Sequence, residues 1–218
     1  LIAAFFEIAP INGFTLGLLD GVLTAGMFAI GFGILRMSGV GRLLSAAAMV
    51  TAVIALAWGL TYPVGGLLQH GAIRFGLPML LIAPVVAAAR WPRSRTVMKW
   101  LALAAVGISS IWALEAFLYV TFTALALIAA SSLWVPRAGR MRWLIVALAS
   151  MLAAWVVTHI LFALATLIAS GSLPAWGLYL SYLRDFLSGS IGDLTYDVTR
   201  WSPSLAVFGL YVLSAISL

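Results

Sequence analysis

The chain has 218 residues, of which 64% are hydrophobic and only 8% are charged, and its mean hydropathy is +1.15. This composition excludes an ordinary soluble domain, in which about 25% of the residues are charged. The net charge of +6 does not indicate nucleic-acid binding, because basic residues between apolar spans are the expected flanks of membrane helices. The absence of cysteine excludes disulfides and thiolate metal sites. The sequence therefore predicts an all-α, polytopic transmembrane helical bundle.

Apolar spans follow one another along the chain, separated by short polar segments. A membrane helix needs about 20 residues, because each residue rises about 1.5 Å and the hydrocarbon core is about 30 Å thick. We predict spans at residues 14–35, 43–62, 73–89, 100–134 as a pair, 143–170, and from 204 onward. Pro78 and Pro84 predict kinks in the third span.

Nine of the twelve basic residues fall in three short segments that we predict to be loops, 36–42, 90–99 and 137–142. The positive-inside rule assigns these segments to the cytoplasm, so an even number of crossings must separate each pair. The interval 100–134 has 35 residues, enough for two short crossings of about 17 residues with a turn near 109–117. We expect such a hairpin or a re-entrant pair. A single long tilted helix is the alternative, and it would place the third basic segment outside.

All six carboxylates then belong to the outer face, so acid–base chemistry is expected there. They are Glu7, Asp20, Glu115, Asp185, Asp193 and Asp197. Residues 171–203 are predicted to form an outer interfacial segment. Its first part spaces Tyr179, Tyr182, Leu183 and Phe186 as in an amphipathic helix lying in the membrane interface.

Glu115 and Arg74 are the most informative polar residues. A carboxylate as deep in an apolar run as Glu115 costs at least a few kcal/mol unless it is paired, protonated or exposed to a cavity. The structural alternative is a hydrogen bond to a helix end, Ser109 or Ser110. Arg74 is suited to gripping a phosphate with two parallel hydrogen bonds. It would otherwise be an interfacial anchor that snorkels to lipid headgroups.

The remaining candidates carry weaker signals. His70, which precedes Arg74, is a further candidate for binding the lipid phosphate or the substrate. The chain has no H-x-x-H or E-x-x-H spacing, so we predict no metal site. We interpret His159, in the middle of a span, as a packed and hydrogen-bonded residue. The aspartates Asp185, Asp193 and Asp197 suit a sugar or metal-phosphate site, or form a solvated loop. Arg200 is a candidate for binding the lipid phosphate or the substrate, as are Asp193 and Asp197. The cofactor is unknown, with a divalent cation as one candidate.

Three motifs together resemble bacterial multi-pass proteins of the GT-C glycosyltransferase superfamily. They are Gly-x-x-Arg-Phe-Gly-Leu-Pro at 71–78, Ser-x-Trp-x-x-Glu-x-Phe-x-Tyr at 110–119, and Pro-x-Trp…Tyr-Leu-Arg…Trp-Ser-Pro across 174–203. The resemblance implies an inverting transferase of the bacterial inner (cytoplasmic) membrane that serves the cell envelope. It would take a sugar from a polyprenyl-phosphate donor on the outer side and pass it to a glycan, lipid or protein acceptor.

The resemblance also implies residue roles. Arg74 would contact the lipid phosphate, and Glu115 would line the reaction cavity. The family's acidic motif in the first outer loop is often paired, and no two carboxylates are adjacent here. Either Glu7 is its remnant, or the motif lies before Leu1. We expect residues 1–218 to be a single transmembrane domain of a longer chain.

Two other functions remain open. In a multi-pass transporter or flippase, Asp20, Glu115 and His159 would be coupling sites near the middle of the membrane. In a noncatalytic membrane subunit, a partner would supply the acidic motif. Membrane lipid is a partner under every hypothesis.

Overall fold

A computed structural model describes residue 10, residues 12–58, residue 72 and residues 76–188, and this part of the chain is all-α. Its seven α-helices are α1 (Gly13–Met37), α2 (Arg42–Trp58), α3 (Leu77–Arg90), α4 (Arg95–Trp112), α5 (Leu114–Ser132), α6 (Arg137–Ser170) and α7 (Trp176–Leu187). By length and composition, α1, α5 and α6 can cross a membrane, and α3 is a shorter apolar helix. The predicted all-α bundle with membrane-spanning helices is confirmed.

The first basic segment is a tight turn between α1 and α2. Gly39 has a φ of +90°, a left-handed conformation that glycine adopts without steric cost. The backbone N–H of Val40 donates to the carbonyl of Leu35 at 3.0 Å, and Arg36 Nη1 donates to the carbonyl of Val40 at 2.6 Å. The first bond satisfies a carbonyl at the end of α1, as is typical of a glycine-terminated helix, and the second holds the Arg36 side chain across the turn.

Residues 95–132 form a helical hairpin whose connection is a single residue. Ala113 is extended, with φ −156° and ψ 149°, between the end of α4 and the start of α5. Met98 and Ala102, early in α4, line the same cavity as Ile128 and Ser131, late in α5. The two helices therefore run antiparallel. The predicted turn near 109–117 is confirmed, and the single long helix considered as its alternative is wrong.

The hairpin brings the second and third basic segments to one end of the bundle. Arg95 and Lys99 of α4 line a cavity together with Trp134, Val135 and Trp143, which flank the start of α6. We name this end, marked by Arg95, Lys99 and Arg137, the basic end. The requirement for an even number of crossings between basic segments predicted this shared end from the basic residues alone. Its assignment to the cytoplasm stays a prediction.

Two details of the sequence interpretation are wrong. The segments 90–99 and 137–142 are largely helical rather than loops, because arginine and lysine are good helix formers once outside the hydrocarbon. As a result α6 has 34 residues and is about 51 Å long. Pro78 lies in the first turn of α3, where a missing N–H breaks no helical hydrogen bond, so it causes no kink. Pro84 does lie inside α3.

Helix α4 is the centre of the packing, since it contacts α3, α5 and α6. The core is built largely from small and branched side chains of these helices, among them Leu81, Val106, Ala116, Val120 and Met151. Small residues allow close approach of membrane helices. Gly107 shows this most clearly, because it faces Ala154 and Thr158 of α6 with no room for a β-carbon. Lys99 and Trp143, early in α4 and α6, also line one cavity, so the two helices run parallel.

The helix α7 belongs to a second unit of the chain, Ala175–Leu218, whereas α1 to α6 lie in the first. Helix α7 confirms the helix that the spacing of Tyr179, Tyr182 and Leu183 predicts. Arg184 Nε donates to Asp185 Oδ1 at 3.3 Å on its exposed surface. The interfacial location of α7 and the extent of the transmembrane domain stay predictions.

Candidate functional site

Four of the predicted site residues, Asp20, Glu115, His159 and Asp185, lie within the described part of the chain. Glu7, His70, Arg74, Asp193, Asp197 and Arg200 lie outside it. Their roles stay predictions. The site is therefore built here from Glu115 and the helices that surround it.

Glu115 lies at the junction of α4 and α5, at the end of the hairpin remote from the basic end. It is the second residue of α5 and is half-buried, between the buried residues Leu114 and Ala116. A carboxylate in the first turn of a helix interacts favourably with the helix dipole, by about 0.3–1 kcal/mol. Ala113 makes no side-chain capping hydrogen bond to α5. Glu115 is the acidic residue in the first turn of this helix.

The neighbouring serines are bonded within their own helix. The hydroxyl of Ser109 donates to the carbonyl of Val106, and that of Ser110 donates to the carbonyl of Gly107, each at 2.7 Å. A hydroxyl has one hydrogen to donate, so neither serine donates to Glu115 in this arrangement. Glu115 nevertheless has an interaction of its own. The predicted alternative, in which Ser109 or Ser110 donates a hydrogen bond to Glu115, is therefore wrong.

A ring contact fixes the register of α5 against α6. The ring centroids of Phe117 and Trp155 lie 5.2 Å apart in an edge-to-face arrangement. Because α5 and α6 run antiparallel, Glu115 lies about 3 Å beyond this contact, away from the basic end, and His159 lies about 6 Å beyond it. The carboxylate and the imidazole are therefore at nearly the same level on adjacent helices. The sequence interpretation did not join them.

Two buried polar atoms accompany this pair. Thr121 Oγ1, one turn along α5 from Phe117, has no hydrogen-bond partner, and neither has Trp155 Nε1. An unpaired buried donor typically costs about 1–3 kcal/mol, so such atoms favour binding of a polar group. Thr121 and Trp155 therefore leave hydrogen-bonding groups unpaired on the sides of α5 and α6 that carry the ring contact. Glu115, two residues before Phe117, lies about 200° around α5 from that contact.

A second polar position lies in α1. Asp20 is only 5% exposed, and its Oδ1 has no hydrogen-bond partner. Thr24 Oγ1, one turn further along the same helix, is also buried without one. This oxygen atom of Asp20 therefore makes no hydrogen bond to a neighbouring helix.

Within the described ranges, no group of three or more histidine, aspartate or glutamate residues could hold a metal ion. Comparison with known proteins does not indicate a function. The chain matches no protein-family model, no curated protein and no solved structure.

Proposed function

We propose that the chain is a membrane-embedded glycosyltransferase that transfers a sugar from a polyprenyl-phosphate donor at the end of the bundle remote from the basic end. The observation that carries the proposal is the position of Glu115. It is a half-buried carboxylate in the first turn of α5, level with His159 and remote from Arg95 and Lys99. Such a group can act as a general base for an acceptor hydroxyl.

In the proposed reaction, Glu115 takes the proton of the acceptor hydroxyl as the hydroxyl oxygen attacks the anomeric carbon of the sugar. The bond between that carbon and the phosphate oxygen breaks, and the polyprenyl phosphate leaves with the electron pair. Arg74, a sequence prediction outside the described residues, would stabilise the charge on the departing phosphate.

Substitution of Glu115 by Gln tests the proposal while preserving shape and removing the base. In proteoliposomes supplied with a polyprenyl-phosphate sugar and an acceptor, we expect the transfer rate to fall by at least about 100-fold, the usual contribution of a general base. Asp185→Asn is the matched control, because it removes an exposed carboxylate with a local ion pair. Wild-type rates in Glu115→Gln would refute the assigned role.

The transporter hypothesis is favoured by a different observation, the buried and unpaired Oδ1 of Asp20 in a helix long enough to span a membrane. Intramembrane carboxylates often mark ion or proton pathways. Uptake into proteoliposomes with and without an imposed proton gradient separates the two functions. Gradient-dependent uptake that Asp20→Asn abolishes and Glu115→Gln leaves intact would favour transport over transfer.

A further inference from the structure

A cavity lies at the basic end of the bundle, far from Glu115. Its volume is about 800 Å³, within the range of about 300–1,000 Å³ in which proteins hold small molecules. Helices α3 to α6 all contribute to its walls, which are mostly apolar and include Leu81, Pro84, Val106, Ala124 and Met151. An apolar chain would fill it without leaving a polar group unpaired.

One face of α4 leads from charge into this cavity. Arg95 and Lys99 are four residues apart and exposed, and Ala102 and Val106 continue the same stripe inward. None of the described residues that line the cavity is a carboxylate, and neither Arg95 nor Lys99 forms an ion pair with any described residue. Among the described residues, the two cations therefore have no counter-charge at the mouth of this apolar space.

The start of α4 adds to this positive field. Its first turn contains no acidic residue, and Ser94 makes no capping bond to it, because its hydroxyl donates to the carbonyl of Trp91 instead. Helix N-termini favour anions and disfavour cations, so two basic residues there are placed against the dipole. Exposed Trp134 beside the cavity suits the headgroup level of a membrane.

From these observations we propose that the cavity binds an anionic phospholipid, with its phosphate on Arg95 and Lys99 and an acyl chain between α3, α4, α5 and α6. Charge complementarity selects this occupant over a zwitterionic lipid. The pairing of a charged rim with an apolar interior selects it over a free anion. The inference does not depend on the proposed transferase activity.

Native mass spectrometry of the detergent-purified protein tests the site with defined lipids. Phosphatidylglycerol and phosphatidylcholine of identical chains are added, and the bound fraction of each is measured. We expect at least about a tenfold preference for phosphatidylglycerol, falling to near unity in Arg95→Gln/Lys99→Gln. The matched control is Arg137→Gln/Arg142→Gln, which removes two exposed charges that do not line the cavity. An equal loss in both double variants would show diffuse electrostatics and overturn the proposal.

The acyl chain is tested by filling the cavity. Ser131→Trp and Ala147→Phe narrow it from α5 and from α6, so one remains informative if the other does not fold. Each is expected to lower bound phosphatidylglycerol about tenfold. Retained binding in a folded variant would contradict the placement of the chain. Competition by inorganic phosphate alone, at concentrations near those of the lipid, would show a simple anion site and overturn the lipid assignment.

Discussion

Replacing Gly107 by alanine probes the closest approach in the bundle, between α4 and α6. A β-carbon at this position would lie 2.1 Å from Thr158 Oγ1 and 2.9 Å from the carbonyl oxygen of Ala154. Both distances are well inside the 3.4 Å at which ordinary van der Waals contact begins. The hydroxyl can rotate away, because threonine adopts two rotamers in helices. The Ala154 carbonyl moves only with α6, so the two helices must separate.

The expected cost combines two opposing effects. Overpacking in a well-packed core typically costs about 1–3 kcal/mol. Exchange of glycine for alanine inside a helix returns about 0.5–1 kcal/mol through lower backbone entropy in the unfolded chain. We therefore expect Gly107→Ala to lower the free energy of unfolding by about 1–2 kcal/mol.

Equilibrium unfolding in mixed micelles, followed by circular dichroism, measures this loss. Gly26→Ala in α1 is the control, because a β-carbon there meets nothing within 4 Å, and it should be neutral or stabilising. Addition of Thr158→Ala to Gly107→Ala should recover part of the loss, since it removes the hydroxyl clash and leaves the carbonyl clash. If Gly107→Ala is as stable as Gly26→Ala, the close packing of α4 on α6 is refuted.

Two further predictions follow from the helix boundaries. Single cysteines at Arg93 and Ala113 should react with a membrane-impermeant maleimide from opposite sides of sealed vesicles, and the wild-type chain provides a cysteine-free background; labelling from one side would contradict the topology. Asn12→Ala should lower the free energy of unfolding by about 1 kcal/mol, because the side chain of Asn12 accepts from the N–H of Thr15 at 3.0 Å; an unchanged unfolding midpoint would show that this cap does not contribute.

Charge and hydropathy were sufficient to predict most of the fold. The even number of crossings between basic segments required a turn between residues 100 and 134, and the break at Ala113 lies within the predicted range. No proline or glycine marks that residue, so packing of the two helices rather than local preference fixes its place. The same signals did not separate a loop from a helix end, because Arg137 and Lys99 suit either one.

The candidate site was predictable only in part. Glu115 was identified from the cost of burying a carboxylate, a property that a sequence reveals directly. His159 was interpreted as a packed residue, because its level relative to Glu115 depends on the register of α5 against α6. That register is set by the contact between Phe117 and Trp155 and by the antiparallel hairpin. Neither can be read from spacing along the chain.

The one-residue connection at Ala113 has a consequence for biosynthesis. Helix α4 is not among the three helices that are apolar enough to cross a membrane, whereas α5 is. An emerging chain that ended at Ala113 would therefore favour the bilayer surface, with Arg95 and Lys99 in water. Once α5 leaves the ribosome, the two helices can partition together as one hairpin, and the greater hydrophobicity of the second helix carries the first into the lipid.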